Sequence, residues 1–321
     1  MIEGLVLDVL VTGLPMVPVF LGLYTVFRLR EDLDLTIDGS FALGGAVCGV
    51  ALVDGVHPVI ALVAGALAGG VAGLVTASVH LSLRIPVLLA GLVMSIGLFS
   101  VTLRVMGSPT LGLLGTDTLY SWAASGPGRD LDVWMSTILS GVIALLLASY
   151  ALFLRTEIGL ALRASGANAP MARSHGVNEK AVLALALFLA NALAAFGAGL
   201  LVQTQGFADV NMGVGTVIAG VGAVLLGELF LRPSGLRVAR IVLCVLLGTL
   251  AYRLVLVGAL RAGLPAGDLR GVTALTLITA VTAQRVLGGV VRGRRKGGLV
   301  SSPAAPGGRV LQLVAGRIEA E

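Results

Sequence analysis

The stretch Pro58–Val79 reads PVIALVAGALAGGVAGLVTASV, 22 residues without a charge. As a helix it would rise about 1.5 Å per residue and reach about 30 Å, the thickness of a bilayer's hydrocarbon core. The pattern repeats outward from it. Val133–Leu154 and Ala181–Val202 are also uncharged, and Ile37–Val53 holds a single acid, Asp38, at its start. One such run could be a buried soluble helix, but a series of them could not. Over all 321 residues, 57% are apolar and only 12% charged, against about 25% charged in an ordinary soluble domain. The sequence therefore predicts an all-α polytopic membrane protein. It excludes a disordered chain and a disulfide scaffold. The two cysteines, Cys48 and Cys244, lie in different apolar runs with no metal-ligand spacing.

Nine spans are expected: Gly4–Phe27, Ile37–Val53, Pro58–Val79, Ile85–Val105, Val133–Leu154, Ala181–Val202, Gly213–Leu229, Val238–Gly258 and Arg270–Leu287. The first carries Glu3 and Asp8 instead of a basic leader, so it reads as a retained span. Basic residues mark the cytoplasmic side. With the N-terminus outside and the C-terminus cytoplasmic, seventeen Lys and Arg fall inside and four outside (Arg104, Arg129, Arg261 and Arg270), while Arg253 lies within a span. The net charge of +5 is thus a topological signal, and no nucleic-acid partner is expected. Residues 1–287 form the transmembrane domain. Residues 288–321 form a basic, then Ser/Pro/Ala/Gly-rich, cytoplasmic tail that is expected to be disordered and to meet anionic lipid.

Gly and Ala cluster inside the spans, as at Gly65–Gly73 and Ala219–Gly227, which suits close helix packing where lipid supplies no hydrophobic drive. DGSFALGGAV (Asp38–Val47) and GTVIAGVGAVLLGE (Gly215–Glu228) share a weak symmetry and run in opposite senses, as an inverted repeat requires. The chain has no P-loop, no H-E-x-x-H and no G-x-S-x-G, and no cofactor is implied. The deepest ionisable residues by this reading are Glu228 and Arg253. Their scarcity argues against an ion-coupled secondary transporter.

The longest internal loop reads RTEIGLALRASGANAPMARSHGVN, Arg155–Asn178. Glu157–Arg163 suits a short amphipathic helix, Ser165–Pro170 is a breaker, and Met171–His175 suits a second turn stopped by Gly176. Such an elbow beneath a membrane can fit a groove on a cytosolic partner and transmit a push. The pattern formed by Gly159, Arg163, Ala164, Gly166, Asn168, Ala172, Gly176, Val177 and Asn178 resembles the coupling-loop signature of ABC importer permeases of the branched-chain amino acid and ribose permease superfamily. DLTIDGSFALGGAV (Asp34–Val47), Leu83–Leu114 and Gly213–Glu228 resemble the branch of tryptophan/tyrosine-type uptake permeases. The elbow departs from that branch at Ala169-Pro170, where a polar pair is common.

The resemblance implies a permease subunit of an ATP-driven importer in the bacterial inner membrane, not itself an enzyme. Two permease copies, a homodimer, would form the solute pathway. A cytosolic ATPase dimer would grip the elbow through Gly159, Arg163, Gly166, Asn168, Arg173 and Gly176. An extracytoplasmic solute-binding protein would deliver the solute, an amino acid on the family label. The other reading is a secondary transporter or channel that works without an ATPase. Among polar residues within spans (Ser40, Thr76, Ser95, Ser100, Asn191 and Thr216), Ser40, Asn191 and Thr216 are the pathway candidates, with helix-to-helix hydrogen bonding as the plainer role for each. An amide at mid-span such as Asn191 demands a partner.

Overall fold

The computed structural model describes residues 2–30, 32–121, 131–231 and 238–296. Its elements in chain order are α1 (Ile2–Gly13), α2 (Met16–Tyr24), a wider-wound π-helical continuation (Thr25–Arg30), α3 (Thr36–Val53), α4 (Pro58–Leu83), α5 (Val87–Met106), β1 (Thr110–Gly112), α6 (Leu131–Phe153), α7 (Glu157–Ala167), α8 (Ala169–Ser174), α9 (Glu179–Gln205), β2 (Phe207–Asp209), α10 (Thr216–Phe230), α11 (Val238–Arg261) and α12 (Leu269–Lys296). Residues 1–280 form one compact unit, and the chain from Val281 belongs to a second. Of the tail, residues 297–321 lie outside the described residues, as do Trp122 and Arg129 of the outer loop.

Helices occupy all nine expected stretches, but they are not nine equal spans. Among the described residues, six unbroken helices have the length and hydropathy of a crossing: α3, α4, α5, α6, α9 and α11. The first expected span is a bent pair, Gly4–Gly13 and Met16–Arg30, which meet at 51° and have the combined length and hydropathy of a seventh. Pro15 stands at that break as the N-cap of α2, where its ring cannot continue the preceding helix. α12 is not among the six. α10 has only 15 residues, about 22 Å of helix.

The shortness of α10 has a cause in the preceding chain. After β2, the backbone turns back along α3. Ala208 lies beside Gly49, Met212 beside Gly45, and Gly213 against the backbone carbonyl of Asp38, where a Cβ would overlap it. A side chain there would push the strand-like return off α3. Helix α10 begins only at this point, with the Asp38 carboxylate accepting hydrogen bonds from Gly215 N (3.1 Å) and Val217 N (2.8 Å). Non-helical backbone at membrane depth is tolerable because it is buried in protein. The expected full span Gly213–Leu229 is thus a helix about three-quarters of the hydrocarbon thickness long, entered through a return loop. From their meeting point, α3 runs toward β2 and α10 runs toward the opposite end.

Helix α9 is the centre of the packing, flanked by α2, α3 and α4. A Cβ at Gly44 or at Gly69 would overlap Ala195, so α3, α4 and α9 touch backbone to backbone. This is the close approach that small residues permit in lipid. Helix α3 is interior, 72% buried, whereas α5 and α6 are 28% buried and show an apolar outer face that includes Ile96 and Leu145. At one end of the bundle, β1 and β2 pair antiparallel (Thr110 opposite Asp209) and tie the end of α5 to the end of α9. The α3–α4 turn lies there too, lining a cavity with Gly115 and Asp117. The α7–α8 elbow, the π turn and the start of α9 gather at the other end. Arg28, Arg30, Arg163 and Arg173 stand at the elbow end.

Three helices, α3, α4 and α9, are joined by a polar seam. Asn191 Nδ2 donates to Asp34 Oδ2 (2.7 Å) and to the Leu187 carbonyl (2.8 Å), and Ser40 donates to Asn191 Oδ1 (2.6 Å). The other Asp34 oxygen accepts from Thr36 N (2.8 Å) and so caps α3, while the Thr36 and Thr76 hydroxyls bond at 2.9 Å. Asp34, Thr36, Ser40, Thr76 and Asn191 are all 0% exposed. Removing one member strands the others without water. Asn191→Leu is expected to lower unfolding stability by about 2–4 kcal/mol. Denaturant unfolding in detergent, followed by circular dichroism, checks this; Ser40→Ala, which leaves Asp34 paired, is expected to cost about 1 kcal/mol.

Candidate functional site

The elbow is built by three short caps. Thr156 Oγ1 accepts from Gly159 N (3.3 Å) and starts α7. Asn168 is extended (φ −159°, ψ 91°), ends α7, and starts α8 by accepting from Met171 N at 3.0 Å. Pro170, in the first turn of α8, needs no amide partner there. Gly176, at φ +83°, stops the second turn, and Asn178 Oδ1 then caps α9 by accepting from Ala181 N (3.3 Å). Two asparagines in a short loop thus each open a helix, which fixes the angle between α7, α8 and α9.

The elbow is also clamped to the π turn. A Cβ at Gly166 would overlap the Leu29 carbonyl oxygen, so α7 and the π turn are in backbone contact at that point. Arg30 donates to Ser165 Oγ and forms ion pairs with Asp32 (3.4 Å) and Glu179 (3.7 Å). Arg173 holds the same Glu179 at 3.0 Å. Glu179, first residue of α9, therefore joins α8, α9 and the π turn. Nearby, Arg28 grips Glu228 at the end of α10 with two parallel bonds, one of them Nε to Oε1 at 2.6 Å, a bidentate geometry that resists shear. Gly159 packs on the end of α6, and Leu162 is fully buried. Arg163 Nε reaches the Gly159 carbonyl at 3.4 Å. In contrast, Ile158, Leu160 and Met171 are 55%, 56% and 58% exposed.

The pathway candidates are placed apart. Ser40 and Asn191 belong to the buried seam, bonded to each other and to Asp34. Thr216 lies at the start of α10, on a cavity of about 440 Å³ between α2, α10, α11 and α12. In the outer turn, Phe207–Asp209 is the strand β2, and Gln203 is buried with Oε1 accepting from Leu119 N (2.9 Å). Two carboxylates that the sequence did not place in the interior, Asp34 and Asp38, make interior hydrogen bonds. Asp34 bonds Asn191, twelve residues or about 18 Å into α9. The i, i+4 pair of acids flanking Thr36 was the available sign, but it reads equally as a charged span boundary.

Long apolar helices around a satisfied polar seam define an all-α polytopic membrane protein. Within that class, the chain belongs to the family described as branched-chain amino acid transport system, permease component, which it matches over residues 5–286. It is 30% identical to the tyrosine transport system permease protein of Clostridioides difficile over 80% of this chain and 84% of that one. It is 28% identical to the ribose import permease protein of Escherichia coli K12 over 73% of each chain. An uncharacterized protein of Rickettsia prowazekii is 30% identical over 86% of this chain and 98% of that one. No solved structure gives a significant match. The expected family, branched-chain amino acid and ribose permeases with a tyrosine-type branch, is the one found.

The double role of Asn168 makes a local prediction. Asn168→Ala removes the α8 cap at a cost of about 1 kcal/mol. Amide exchange at Met171 is expected to quicken about fivefold, measured by hydrogen–deuterium exchange, with the rates in α9 beyond Ala181 unchanged.

Proposed function

We propose that this chain is the permease subunit of an ATP-driven importer in a bacterial inner membrane, working as a homodimer. A cytosolic ATPase dimer docks on α7–α8, and an extracytoplasmic binding protein delivers solute at the β1–β2 end. On this reading the elbow end is cytoplasmic, the N-terminus lies outside and the C-terminus inside. The seventeen-to-four bias of basic residues supports that orientation. The family and its import relatives support the class, and the tyrosine permease relative supports an amino acid as the solute.

One observation carries the coupling role. The elbow exposes Ile158, Leu160 and Met171 on its outer side while its inner side is fastened to the π turn and α9. A partner that gripped the exposed residues would move the π turn directly, because Gly166 leaves no slack against Leu29. Gly159, Gly166, Asn168 and Gly176 set the elbow's shape, and Arg173 ties it to Glu179. Arg163 completes the set that the family pattern marks. Ile158 and Leu160 supply apolar contact for the ATPase groove.

The double variant Ile158→Asp/Leu160→Asp is expected to weaken ATPase binding at least tenfold in pull-down from membranes, with permease abundance unchanged. Gly166→Pro is expected to abolish uptake while the protein remains folded in the membrane. Uptake that persists in cells lacking every partner ATPase would overturn the proposal in favour of a secondary transporter. A Ser174→Cys variant should react with an impermeant maleimide only from the cytoplasmic side of inverted vesicles. Labelling from the periplasm would overturn the orientation.

A further inference from the structure

Arg253 lies about two-thirds along α11, among apolar neighbours. Its Nε is buried with no hydrogen-bond partner, and among the described residues no carboxylate forms an ion pair with it. Among the described residues, Asp34 has Asn191, Asp38 has the α10 amides, Glu228 has Arg28, and Arg30, whose Nε also lacks a hydrogen bond, is ion-paired with Asp32 and Glu179. A guanidinium held in an apolar span without a counter-charge is costly, and such residues mark functional positions.

The surroundings say what would answer it. Arg253 borders the cavity of about 440 Å³, with Arg270 as a second cation on the wall. That volume falls within the range of small-molecule sites, which are mostly apolar with a few placed polar groups. Here the apolar wall includes Phe20 and Tyr252, stacked edge to face with centroids 6.1 Å apart. Among the described residues, no acid lines the cavity. The start of α10 is no rival anion site, because its amides at Gly215 and Val217 are already bonded to Asp38.

The geometry points to Arg253 as a solute-recognition residue that binds a carboxylate, the solute's apolar or aromatic body lying against Phe20 and Tyr252. This rests on the permease reading above and names the chemistry of its solute. A planar guanidinium can hold both oxygens of a carboxylate, which a lysine ammonium does not reproduce. The cavity would therefore select for the acid group and tolerate loss of the amine.

The test uses the full-length permease purified in detergent, alone and with its ATPase, and radiolabelled L-tyrosine as probe. Binding should be competed by 4-hydroxyphenylpropionate, which keeps the carboxylate, and not by tyramine, which lacks it. Arg253→Gln should weaken L-tyrosine binding at least tenfold, with ATPase copurification unchanged. Arg253→Lys should fall between wild type and Arg253→Gln. Equal competition by tyramine overturns the inference, as does wild-type affinity in Arg253→Gln or Arg253→Lys. If Arg253→Gln fails to fold, the competitor ranking on the wild-type protein decides. A wild-type permease that recruits an ATPase yet binds neither acid overturns the Arg253 inference alone. One that binds L-tyrosine but recruits no ATPase overturns the importer reading instead.

Discussion

In hydrocarbon every polar group must find its partner inside the protein, and the interior of this chain is organised by two aspartates that meet that demand. Asp34 caps α3 and holds Asn191, so it fixes α3 against the middle of α9. Four residues later, Asp38 caps α10 and fixes where that short helix begins. One turn of helix therefore sets the position of three others. The carboxylates replace, with local backbone and amide donors, the water that would otherwise hydrate them. The neighbouring small residues complete the constraint. With Gly44 and Gly69 pressed on Ala195, there is no room for α3, α4 and α9 to slide past one another without breaking the seam.

That rigidity divides the molecule. The α3–α4–α9 core is bonded by buried polar contacts and backbone-close packing. The other helices around the cavity are joined differently. Helix α1 meets α2 at a 51° bend, α2 ends in a π turn, and α10 is reached through a non-helical return. A π turn loosens the usual hydrogen-bond ladder and recurs at functional positions. The π turn is also where the elbow is clamped, through Arg30 and Leu29, and where Arg28 reaches Glu228 on α10. A displacement of the elbow thus meets first the elements with broken or widened helix geometry, of which α2 and α10 border the cavity.

Much of this was legible in the sequence, for physical reasons. Uncharged runs of about 20 residues can only be satisfied as helices in lipid, so each expected stretch is helical. The elbow was legible through Pro170 and Gly176, which act by local rules of chain reversal, but the expected break over Ser165–Pro170 is narrower: the helix runs on to Ala167 and Asn168 makes the turn. Depth was not legible. Hydropathy registers that Asp38 opens an apolar run, but not that the run begins inside the protein instead of at its surface. Nor does it distinguish a full crossing from the shorter α10, because Gly213–Gly215 is as apolar as the helix it precedes. What separates them is the fit of Gly213 against the Asp38 carbonyl, a contact between residues 175 positions apart.

The same blindness hid the difference between Asn191 and Thr216, two polar residues in apolar runs. A polar side chain in a span has two stable fates: it is satisfied by a neighbouring helix, or it faces a wet cavity. Asn191 takes the first, since Asp34, Ser40 and the Leu187 carbonyl use both ends of its amide. Having spent its donors and acceptor there, it has little left to offer a passing solute. Thr216 takes the second, because α10 starts where the return loop ends and its first turn borders the cavity. The wall of the cavity at Thr216 is therefore set by the site at which Asp38 permits a helix to begin.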